Sequence, residues 1–337
     1  MRPDLLGPLL AKALGDDRWL ALEPTLIVGG KSNLTFELTS AAGSVILRRP
    51  PSGDLLPSAH DMGREVRIQK ALAGTAVPVP RIVLEDTGGD LFGAPFYVME
   101  KVRGQVIREE LPAGYAESAA QKRELAFALV DTLADLHAVD PVSVGLGDYG
   151  RPDGYLERQL RRWSGQWDKS KTRDVTEVDE LRARLVTSVP ASQRASIVHG
   201  DYRMDNCLMD PADPAGVAAV IDWELSTLGD PLTDLGVLFF YWREPGEEQR
   251  ALTPVVTTTP GFPSRADLAA RYAERTGAAL ESIAFHEALA HFKFAVIAQG
   301  IAARVSAGTM AGQDFGDLDA EVRRIAESGV SLLAQRG

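Results

Sequence analysis

Cysteine is nearly absent from this chain of 337 residues, which carries it only at Cys207. A single cysteine excludes an internal disulfide and any zinc site built from several thiolates. Cys207 directly follows an asparagine in a strand-like segment, so we expect a small buried filler in preference to a nucleophile.

Positive charge is also scarce, since 36 Lys and Arg residues face 47 Asp and Glu residues and the formal net charge is −11. An acidic protein repels phosphate backbones, which argues against nucleic acid as a partner. We see neither a secretory signal nor an apolar run of membrane-spanning length. We therefore expect a cytoplasmic protein without a membrane partner, and no pattern indicates its oligomeric state.

Three polar residues that follow short apolar runs are the most informative feature of the sequence. Asp201 and Asn206 lie in His-Gly-Asp-Tyr-Arg-Met-Asp-Asn, and Asp222 lies in Val-Ile-Asp-Trp-Glu. Phosphoryl transfer from a nucleotide triphosphate needs a carboxylate that orients the attacking hydroxyl and accepts its proton, and oxygen ligands that hold Mg²⁺ against the phosphates. Asp201 fits the role of catalytic base, and Asn206 with Asp222 fits the metal site. Turns and caps also use Asp and Asn, but three at this spacing favour catalysis.

The order of these motifs along the chain carries a family resemblance. His-Gly-Asp-x-x-x-x-Asn, then Ile-Asp-Trp-Glu and Gly-Asp-Pro-Leu-Thr-Asp-Leu, resembles the aminoglycoside phosphotransferase and choline kinase superfamily. It is a variant of the protein-kinase pattern, with Gly200 in place of the Arg and Trp223 in place of the Phe. Upstream, Leu-Arg-Arg-Pro-Pro and Ala-His-Asp are similar to the branch fused to acyl-CoA dehydrogenases. The resemblance covers most of the chain and implies the protein-kinase-like fold, with Mg²⁺ and ATP, or GTP in its place, as cofactors.

Strand-like alternation in the first hundred residues predicts a five-stranded antiparallel sheet. Residues 25 to 49 alternate as three consecutive strands, and Arg81–Glu85 and Phe96–Glu100 supply two more. Between them, Asp61–Leu72 has near-helical spacing and is followed by prolines that end a helix.

Helical periodicity dominates the remainder of the chain. From Glu117 onward four leucines form one apolar stripe that ends at His137, and Ala266–Thr276 and Ile283–Ala303 are the clearest later helices. We expect an α+β, two-lobed fold. An N-terminal nucleotide-binding lobe spans residues 1–102, and a mainly helical C-terminal lobe with the catalytic and acceptor sites spans 103–337.

The glycine-rich segment before the second strand is expected to close over the triphosphate. A Walker A motif would need a glycine where this chain has Thr25, and it would open a helix instead of a strand. In a flexible hairpin loop, Gly29 and Gly30 let backbone N–H groups approach the phosphates, and Ser32 or Asn33 adds a donor. A simple turn is the structural alternative.

A cation for the nucleotide phosphates is expected on the third strand. Kinases fix such a cation with a Glu on the following helix, and the matching residues are Arg48 and Glu65. Protein kinases usually have Lys at this position, so Arg49 is the competing choice. Strand alternation favours Arg48, which shares a face with Ile46, and arginine can clamp phosphate oxygens with two hydrogen bonds. Exposed surface charge is the alternative for each.

The strand Phe96–Glu100 and the residues after it are expected to form the hinge. By the family resemblance, backbone groups of Glu100 and Val102 meet the adenine edge, and Met99 lies at the back of that pocket. A Met at this point is also ordinary core, and the two roles are compatible.

A basic segment between Arg158 and Arg173 suggests the character of the acceptor. It concentrates six cations and two tryptophans in an acidic protein, and such a patch attracts anions and offers flat faces for stacking. Relatives that phosphorylate cationic aminoglycosides would need an acidic lining. We therefore expect an anionic hydroxylated metabolite as the small-molecule acceptor, and the fused branch suggests a hydroxyacyl-CoA. The alternative is a solvated amphipathic helix.

Other titratable residues are expected to be structural. His137 and His199 precede turns and are expected to bond backbone groups. Asp230 and Asp234 flank a proline at a helix start, which favours capping and loop bracing over metal ligation.

Three rival functions compete with this hypothesis. An antibiotic phosphotransferase of the aminoglycoside type would share the chemistry and differ in the acceptor. A non-catalytic nucleotide-binding pseudokinase would normally have lost one of Asp201, Asn206 and Asp222, and all three are present. A P-loop kinase is disfavoured by the missing glycine and by the strand after the loop.

Overall fold

A five-stranded antiparallel sheet forms the N-terminal part of the chain, as the alternation predicted. Its strand order is β1-β2-β3-β5-β4. The bounds are β1, Glu23–Ile27; β2, Leu34–Ser40; β3, Gly43–Arg49; β4, Ile82–Asp86; and β5, Phe96–Glu100. Strand β3 pairs with β2 on one side and with β5 on the other, so Arg48 lies in an interior strand.

The computed structural model of this chain describes residues 2–27, 33–51, 61–248, 253–308 and 316–334. The predicted phosphate-loop residues Gly29, Gly30 and Ser32 lie outside the described residues, so their role stays a prediction. Asn33 is the first described residue after them, and it is buried.

One face of the sheet is covered by a helix that the sequence analysis did not anticipate. This helix, α1, spans Pro3–Leu14 and packs Leu6 and Leu10 into one cluster with Leu47 and Val98 of the sheet. A sheet covered on one side only would show polar alternation, so α1 explains why the outer residues of β3 and β5 are apolar.

The opposite face of the sheet is covered by the predicted helix α2, Met62–Leu72. Its Val66 packs in one cluster with Ile46 of β3. Successive strand residues point to opposite faces, so Arg48 shares the α2 side with Ile46. Accordingly, Arg48 Nη1 lies 3.5 Å from Glu65 Oε2 on α2, which confirms the expected face.

Helices make up most of the chain after residue 118. They are α3, Ala119–Ala138; α4, Tyr155–Ser170; α5, Thr176–Thr187; α6, Leu232–Tyr241; α7, Arg265–Thr276; α8, Ile283–Ser306; and α9, Leu318–Ala334. The four leucines of the predicted stripe on α3 are fully buried. The predicted helices at 266–276 and 283–303 are confirmed as α7 and α8, and the fold is α+β and protein-kinase-like.

Helix α8 contradicts the expectation that no apolar run reaches membrane-spanning length. Its 24 residues are long and apolar enough to cross a membrane by length and composition alone. Two thirds of its most apolar 18-residue stretch are buried inside the protein, where α8 packs against α6 and α9. Such burial is typical of a central helix in a large core.

Two short antiparallel ribbons carry the chemistry-bearing segment. They consist of β6, Ser196–Val198, with β9, Thr227–Gly229, and of β7, Cys207–Met209, with β8, Val217–Val220. Cys207 is fully buried in β7, and burial raises the pKa of its thiol to about 12, which agrees with a filler role. Gln105 bridges Met209 of β7, shortly after β5 ends. The division of the lobes at residue 102 stays a prediction.

An arginine on α2 fastens the N-terminal sheet to the helical part. Arg64 Nη2 donates to the Tyr149 carbonyl at 2.9 Å and to the Ser226 carbonyl at 3.2 Å. Its guanidinium also lies 4.1 Å from the centre of the Tyr149 ring, and the Tyr149 hydroxyl is 2.8 Å from Ser226 Oγ. These contacts hold α2 at a fixed position beside the segment that contains Asp222.

Candidate active site

The three residues singled out in the sequence meet between the two ribbons. Asp201 lies in the turn after β6, Asn206 immediately precedes β7, and Asp222 follows β8 by two residues. Asn206 Nδ2 donates to the Asp201 carbonyl at 2.9 Å and to Asp201 Oδ2 at 3.3 Å. The Ile221 N–H donates to the Asn206 carbonyl at 2.9 Å, which joins the segment of Asp222 to the same turn. A carboxylate, an amide and a second carboxylate are thus held in one place.

Asp222 has a backbone conformation that L-residues rarely adopt. Its φ of 68° and ψ of 61° lie in the left-handed region, which Asn and Asp tolerate better than most residues. Strain of this kind concentrates at functional sites. The Asp222 side chain is 34% exposed, and its Oδ1 accepts a hydrogen bond from Arg48 Nη2 at 2.9 Å.

Arg48 and Glu65 form a buried ion pair at the edge of this site. Glu65 Oε2 accepts from the Tyr97 hydroxyl at 2.8 Å, and its Oε1 accepts from Asn33 Nδ2 at 2.9 Å. Burial raises the pKa of the Glu65 carboxyl, while Arg48 and the Tyr97 hydroxyl stabilise its carboxylate. Arg49 instead donates to the Pro50 carbonyl, so it is Arg48 that the sheet directs to Asp222.

Asp234, near the start of α6, braces the turn before Asp201. Its Oδ2 accepts from the His199 N–H at 2.6 Å, and its Oδ1 accepts from the Gly200 N–H at 2.8 Å. Burial alone would raise the pKa of this carboxyl, but its contacts with His137 and His199 outweigh burial and hold the pKa below the usual range. The expected bracing role fits this geometry.

The two histidines of this region differ from each other in their partners. His199 Nε2 lies 2.9 Å from the Ile221 carbonyl, as expected for a histidine that bonds backbone. The expectation is wrong for His137, whose ring contacts the Tyr272 hydroxyl at 2.8 Å and Asp234 Oδ2 at 3.3 Å. Its partners come from distant helices, which a local pattern does not reveal.

Gly200 occupies a point where a side chain does not fit. Its φ is +85°, and a Cβ placed there would lie 2.6 Å from the Leu225 carbonyl oxygen. Both the backbone conformation and the close approach of the Leu225 backbone therefore require glycine. This explains why the chain carries Gly where the protein-kinase pattern has Arg.

Replacing Gly200 by Ala is expected to lower the free energy of unfolding by about 2 kcal/mol or more, because strain in φ adds to a backbone clash. Chemical denaturation measures the loss. Gly145→Ala is the matched control, since Gly145 also has a positive φ of 75° but nothing lies within 4 Å of the added Cβ. Equal losses in the two variants would show that the Leu225 contact is unimportant.

Two cations beside Asp201 were missed by the sequence analysis. Arg203 Nε lies 3.3 Å from Asp201 Oδ2, and its Nη1 lies 3.0 Å from Asp205 Oδ2. Lys293 of α8 lies 3.9 Å from Asp201 Oδ1 and donates to the Gly200 carbonyl at 2.8 Å. Arg203 lies inside the motif and could have been noticed. Lys293 is separated by most of the helical part, so no local signal points to it.

The predicted hinge residues lie at the end of β5, which pairs with β3 inside the sheet, and directly after it. Met99 is 7% exposed and packs in the cluster between the sheet and α2, which agrees with its core role. The Glu100 N–H donates to the Arg81 carbonyl at 2.9 Å, and Val102 is partly exposed before the Gln105 bridge. Contact of Glu100 and Val102 with a nucleotide base stays a prediction.

The basic segment between Arg158 and Arg173, on α4 and just after it, is not uniformly exposed and unpaired. Trp163 and Trp167 are buried at 7% and 0% exposure, and Trp167 Nε1 donates to Asp179, so the expectation of exposed stacking faces is wrong. Lys171 and Arg173 form ion pairs with acidic residues. The amphipathic period of α4 turns its tryptophans inward and leaves Arg162 on the exposed side.

The comparisons with known proteins agree with this geometry. Residues 23–291 match the sequence profile described as "Phosphotransferase enzyme family". The chain belongs to that family. Among solved structures, a candidate aminoglycoside phosphotransferase from Ralstonia eutropha shares 33% identity at a TM-score of 0.80, covering 94% of this chain and 93% of that one.

Other relatives of this phosphotransferase chain are longer proteins, of which it matches only a part. Acyl-CoA dehydrogenase family member 11 of Rattus norvegicus is 36% identical over 328 residues, which cover 94% of this chain and 41% of that protein. Family member 10 of Mus musculus is 33% identical over 309 residues, which cover 90% and 28%. The chain thus spans less than half of the length of these relatives.

More distant phosphotransferases share the fold. A thermostable mutant of aminoglycoside phosphotransferase APH(4)-Ia, in a ternary complex with ADP and hygromycin B, has a TM-score of 0.63 at 14% identity. The alignment covers 97% of this chain and 98% of that one. The structural similarity supports the protein-kinase-like fold. Identity as low as 14% leaves the acceptor of this family member open.

The donor set at the site fits a hard divalent cation. Asn206 uses its amide nitrogen on Asp201, so its amide oxygen is the atom that can bind a metal, and Asp222 adds a partly exposed carboxylate. Mg²⁺ takes few protein ligands when phosphates and water complete its octahedron. The described residues contain no group of three or more His, Cys, Asp and Glu side chains arranged for a metal.

Proposed function

We propose that this protein is an ATP-dependent phosphotransferase that moves the γ-phosphate to a hydroxyl of a small anionic metabolite. The observation that carries the proposal is the convergence of Asp201, Asn206 and Asp222 in one hydrogen-bonded turn system beside the Arg48–Glu65 pair. In this arrangement Asp201, Asn206, Asp222 and Arg48 correspond to the base, the two metal ligands and the phosphate-binding cation of kinases. The division into a nucleotide-binding lobe, 1–102, and a helical lobe, 103–337, belongs to the same proposal.

Arg48 is the cation that binds the α and β phosphates in this proposal. It is held between Glu65 and Asp222, and burial together with these two carboxylates fixes its guanidinium in one position. A fixed fork can donate two parallel hydrogen bonds to phosphate oxygens without losing further rotamer freedom. The predicted role of Gly29, Gly30 and Ser32 on the phosphates is part of this proposal, and Asn33 donates to Glu65.

The adenine lies against the hinge. Backbone groups of Glu100 and Val102 contact its edge, and the Met99 side chain closes the back of the pocket. The base is chosen by which of these backbone groups donate and which accept hydrogen bonds, and GTP is the alternative nucleotide. Competition between ATP and GTP in a turnover assay decides which of the two the hinge prefers.

Asn206 and Asp222 are the residues that would hold Mg²⁺ between the protein and the triphosphate. A bound divalent cation neutralises charge on the phosphate oxygens during transfer. The chain's own contribution is to hold both ligand atoms in place. Asn206 is held by its hydrogen bonds to Asp201, and Asp222 is held by its strained backbone and by Arg48.

Asp201 orients the acceptor hydroxyl and takes its proton. Its Oδ2 is engaged by Asn206 and Arg203, and its Oδ1 lies toward Lys293 at 3.9 Å. Two cations and an amide donor thus surround the carboxylate that serves as the general base in this proposal. The bracing of Gly200 and His199 by Asp234 keeps the turn, and hence the carboxylate, in position for attack in line with the leaving group.

The acceptor proposal rests on the relatives and on the charge of the site. The curated relatives carry acyl-CoA dehydrogenase names, and a hydroxylated acyl-CoA is the metabolite that such a fused partner would handle. Arg162 and Lys293 beside the turn favour an anion over a polycation. The alternatives are an aminoglycoside-type antibiotic acceptor and a pseudokinase without turnover.

The test is ADP release from ATP and Mg²⁺, screened against hydroxyacyl-CoA thioesters, free hydroxy acids and aminoglycosides. We expect turnover with an anionic acceptor and none with kanamycin-like polycations. Efficient phosphorylation of a polycation would transfer the assignment to the antibiotic class. Nucleotide binding without any turnover across the panel would favour the pseudokinase.

A further inference from the structure

A small cavity lies beside Gly200, between α4, α6 and α8. Its volume is about 40 Å³, which is room for about three or four water molecules at roughly 10–15 Å³ each. The lining includes Gly200, Gln159, Arg162, Trp163 and Lys293. Two of its lining side chains are cations, and none is a carboxylate.

Lys293 is an unusual residue for the interior of α8. It is 7% exposed, and one of its three N–H groups donates to the Gly200 carbonyl at 2.8 Å. Its 3.9 Å separation from Asp201 Oδ1 is too long for a hydrogen bond. Burial lowers the pKa of the ammonium, Arg162 and Arg203 lower it further, and Asp201 and Asp234 oppose them. An additional oxygen acceptor in the cavity would therefore stabilise the charged form.

Arg162 supplies the second cation from the exposed side of α4. Its guanidinium lies 5.4 Å from the centre of the Trp163 ring, and no ion pair involves it among the residues that the structure describes. Its neighbour Arg161 is also exposed but does not line the cavity. The two arginines thus have the same side chain and similar exposure, but only Arg162 lines the cavity.

We propose that this cavity is the acceptor subsite for a compact oxyanion, bound by Lys293 and Arg162 beside the Asp201 carboxylate. The inference rests on the proposed phosphotransferase function and adds the part of the acceptor that is recognised. Lys293 links the two halves of the site, since it lies within reach of both the oxyanion and the catalytic turn.

The position of Lys293 limits how far the oxyanion can lie from the reacting hydroxyl. Hydrogen bonds of about 2.8 Å at each end of the 3.9 Å gap give an upper limit of roughly 9.5 Å. That limit fits the carboxylate of a short hydroxy acid, and it also fits a phosphate of a coenzyme that folds back. Both sources present the same compact oxyanion.

Ligand-detected NMR with acetate and with inorganic phosphate tests the subsite without turnover. We expect saturation transfer to acetate in the wild-type protein, and affinity at least about tenfold weaker in Arg162→Gln and in Lys293→Met, because each removes a charge-assisted hydrogen bond. Arg161→Gln is the matched control and is expected to bind like the wild type. The exposed Arg162 keeps the test valid if Lys293→Met fails to fold.

The result with each probe identifies the source of the oxyanion. Binding of acetate that depends on Arg162 points to a carboxylate, and binding of phosphate that depends on Arg162 points to a coenzyme phosphate. Absence of binding by either probe, or binding unchanged in Arg162→Gln, would overturn the subsite. Acetamide is the neutral control, and its equal binding would also overturn the proposal.

The turnover assay separates failure of the subsite from failure of the proposed function. Hydroxy acids that support ADP release are compared with their neutral methyl esters. Turnover that favours the esters would overturn the subsite while the phosphotransferase function stands. Oxyanion binding that depends on Arg162 would support the subsite even if no acceptor in the panel is phosphorylated, and then only the proposed function would fail.

Discussion

Replacing Asp201 by Asn is expected to lower turnover by roughly 10² or more while nucleotide affinity stays near that of the wild type, since general-base catalysis typically supplies about 10² to 10⁴. Asn keeps the shape of the side chain and an oxygen that can accept from Asn206, so the turn should remain intact. What disappears is the carboxylate that accepts the hydroxyl proton. Turnover is measured at saturating ATP, and nucleotide affinity is measured by calorimetry.

Asp210→Asn is the matched control for this substitution. Asp210 follows β7 in the same region, and its Oδ1 accepts from the Ala212 N–H at 2.8 Å, which an amide oxygen can also do. We expect the control to keep wild-type turnover. If Asp201→Asn also kept it, Asp201 would have no role in proton transfer.

Replacing Asp222 by Asn is expected to weaken the Mg²⁺ dependence of nucleotide binding sharply and to lower turnover by roughly 10² or more, because the variant loses the anionic ligand of a metal whose charge stabilisation is worth several kcal/mol. Asn is chosen over Ala because it tolerates the φ of 68° observed at this position. Fold damage and loss of the ligand are thereby kept apart.

Calorimetry with Mg²⁺ and with chelator gives the decisive comparison for Asp222. The wild-type protein should bind ATP more tightly with Mg²⁺ than with chelator, and this difference in affinity should be much smaller in the variant. Thermal unfolding of the variant measures the cost of losing the negative charge beside Arg48, because an amide oxygen can still accept the hydrogen bond from Arg48. Unchanged Mg²⁺ dependence in a folded variant would remove Asp222 from the metal site.

Much of this arrangement could be predicted from the sequence because its signals are local. Strand alternation places Arg48 on the face of Ile46, and the structure pairs it with Glu65 on that side of the sheet. The spacing of Asp201 and Asn206 matches one turn and the start of a ribbon. Fixed spacings of this kind report which residues a short segment brings together.

Contacts between distant segments could not be predicted in the same way. Lys293 reaches Gly200 across the helical part, and its surroundings in the sequence are simply those of an apolar core helix. Helix α1 was missed because its short apolar run is interrupted by Gly7 and Pro8, although a helix packed on a sheet can tolerate both. The prediction of exposed stacking faces on the basic segment was wrong because composition alone does not show which side of α4 a tryptophan faces.

The attachment of α2 by Arg64 bears on how the Arg48–Glu65 ion pair is assembled. In protein kinases the ion pair between the third strand and the following helix must be assembled before phosphoryl transfer, and phosphorylation of a long activation loop controls that step. Here Arg64 already holds α2 against Tyr149 and Ser226, and only a short connection separates Asp222 from α6. In this structure the Arg48–Glu65 pair is therefore assembled while Arg64 holds α2, and the placement of the pair depends on contacts with Tyr149 and Ser226 instead of on a modified loop.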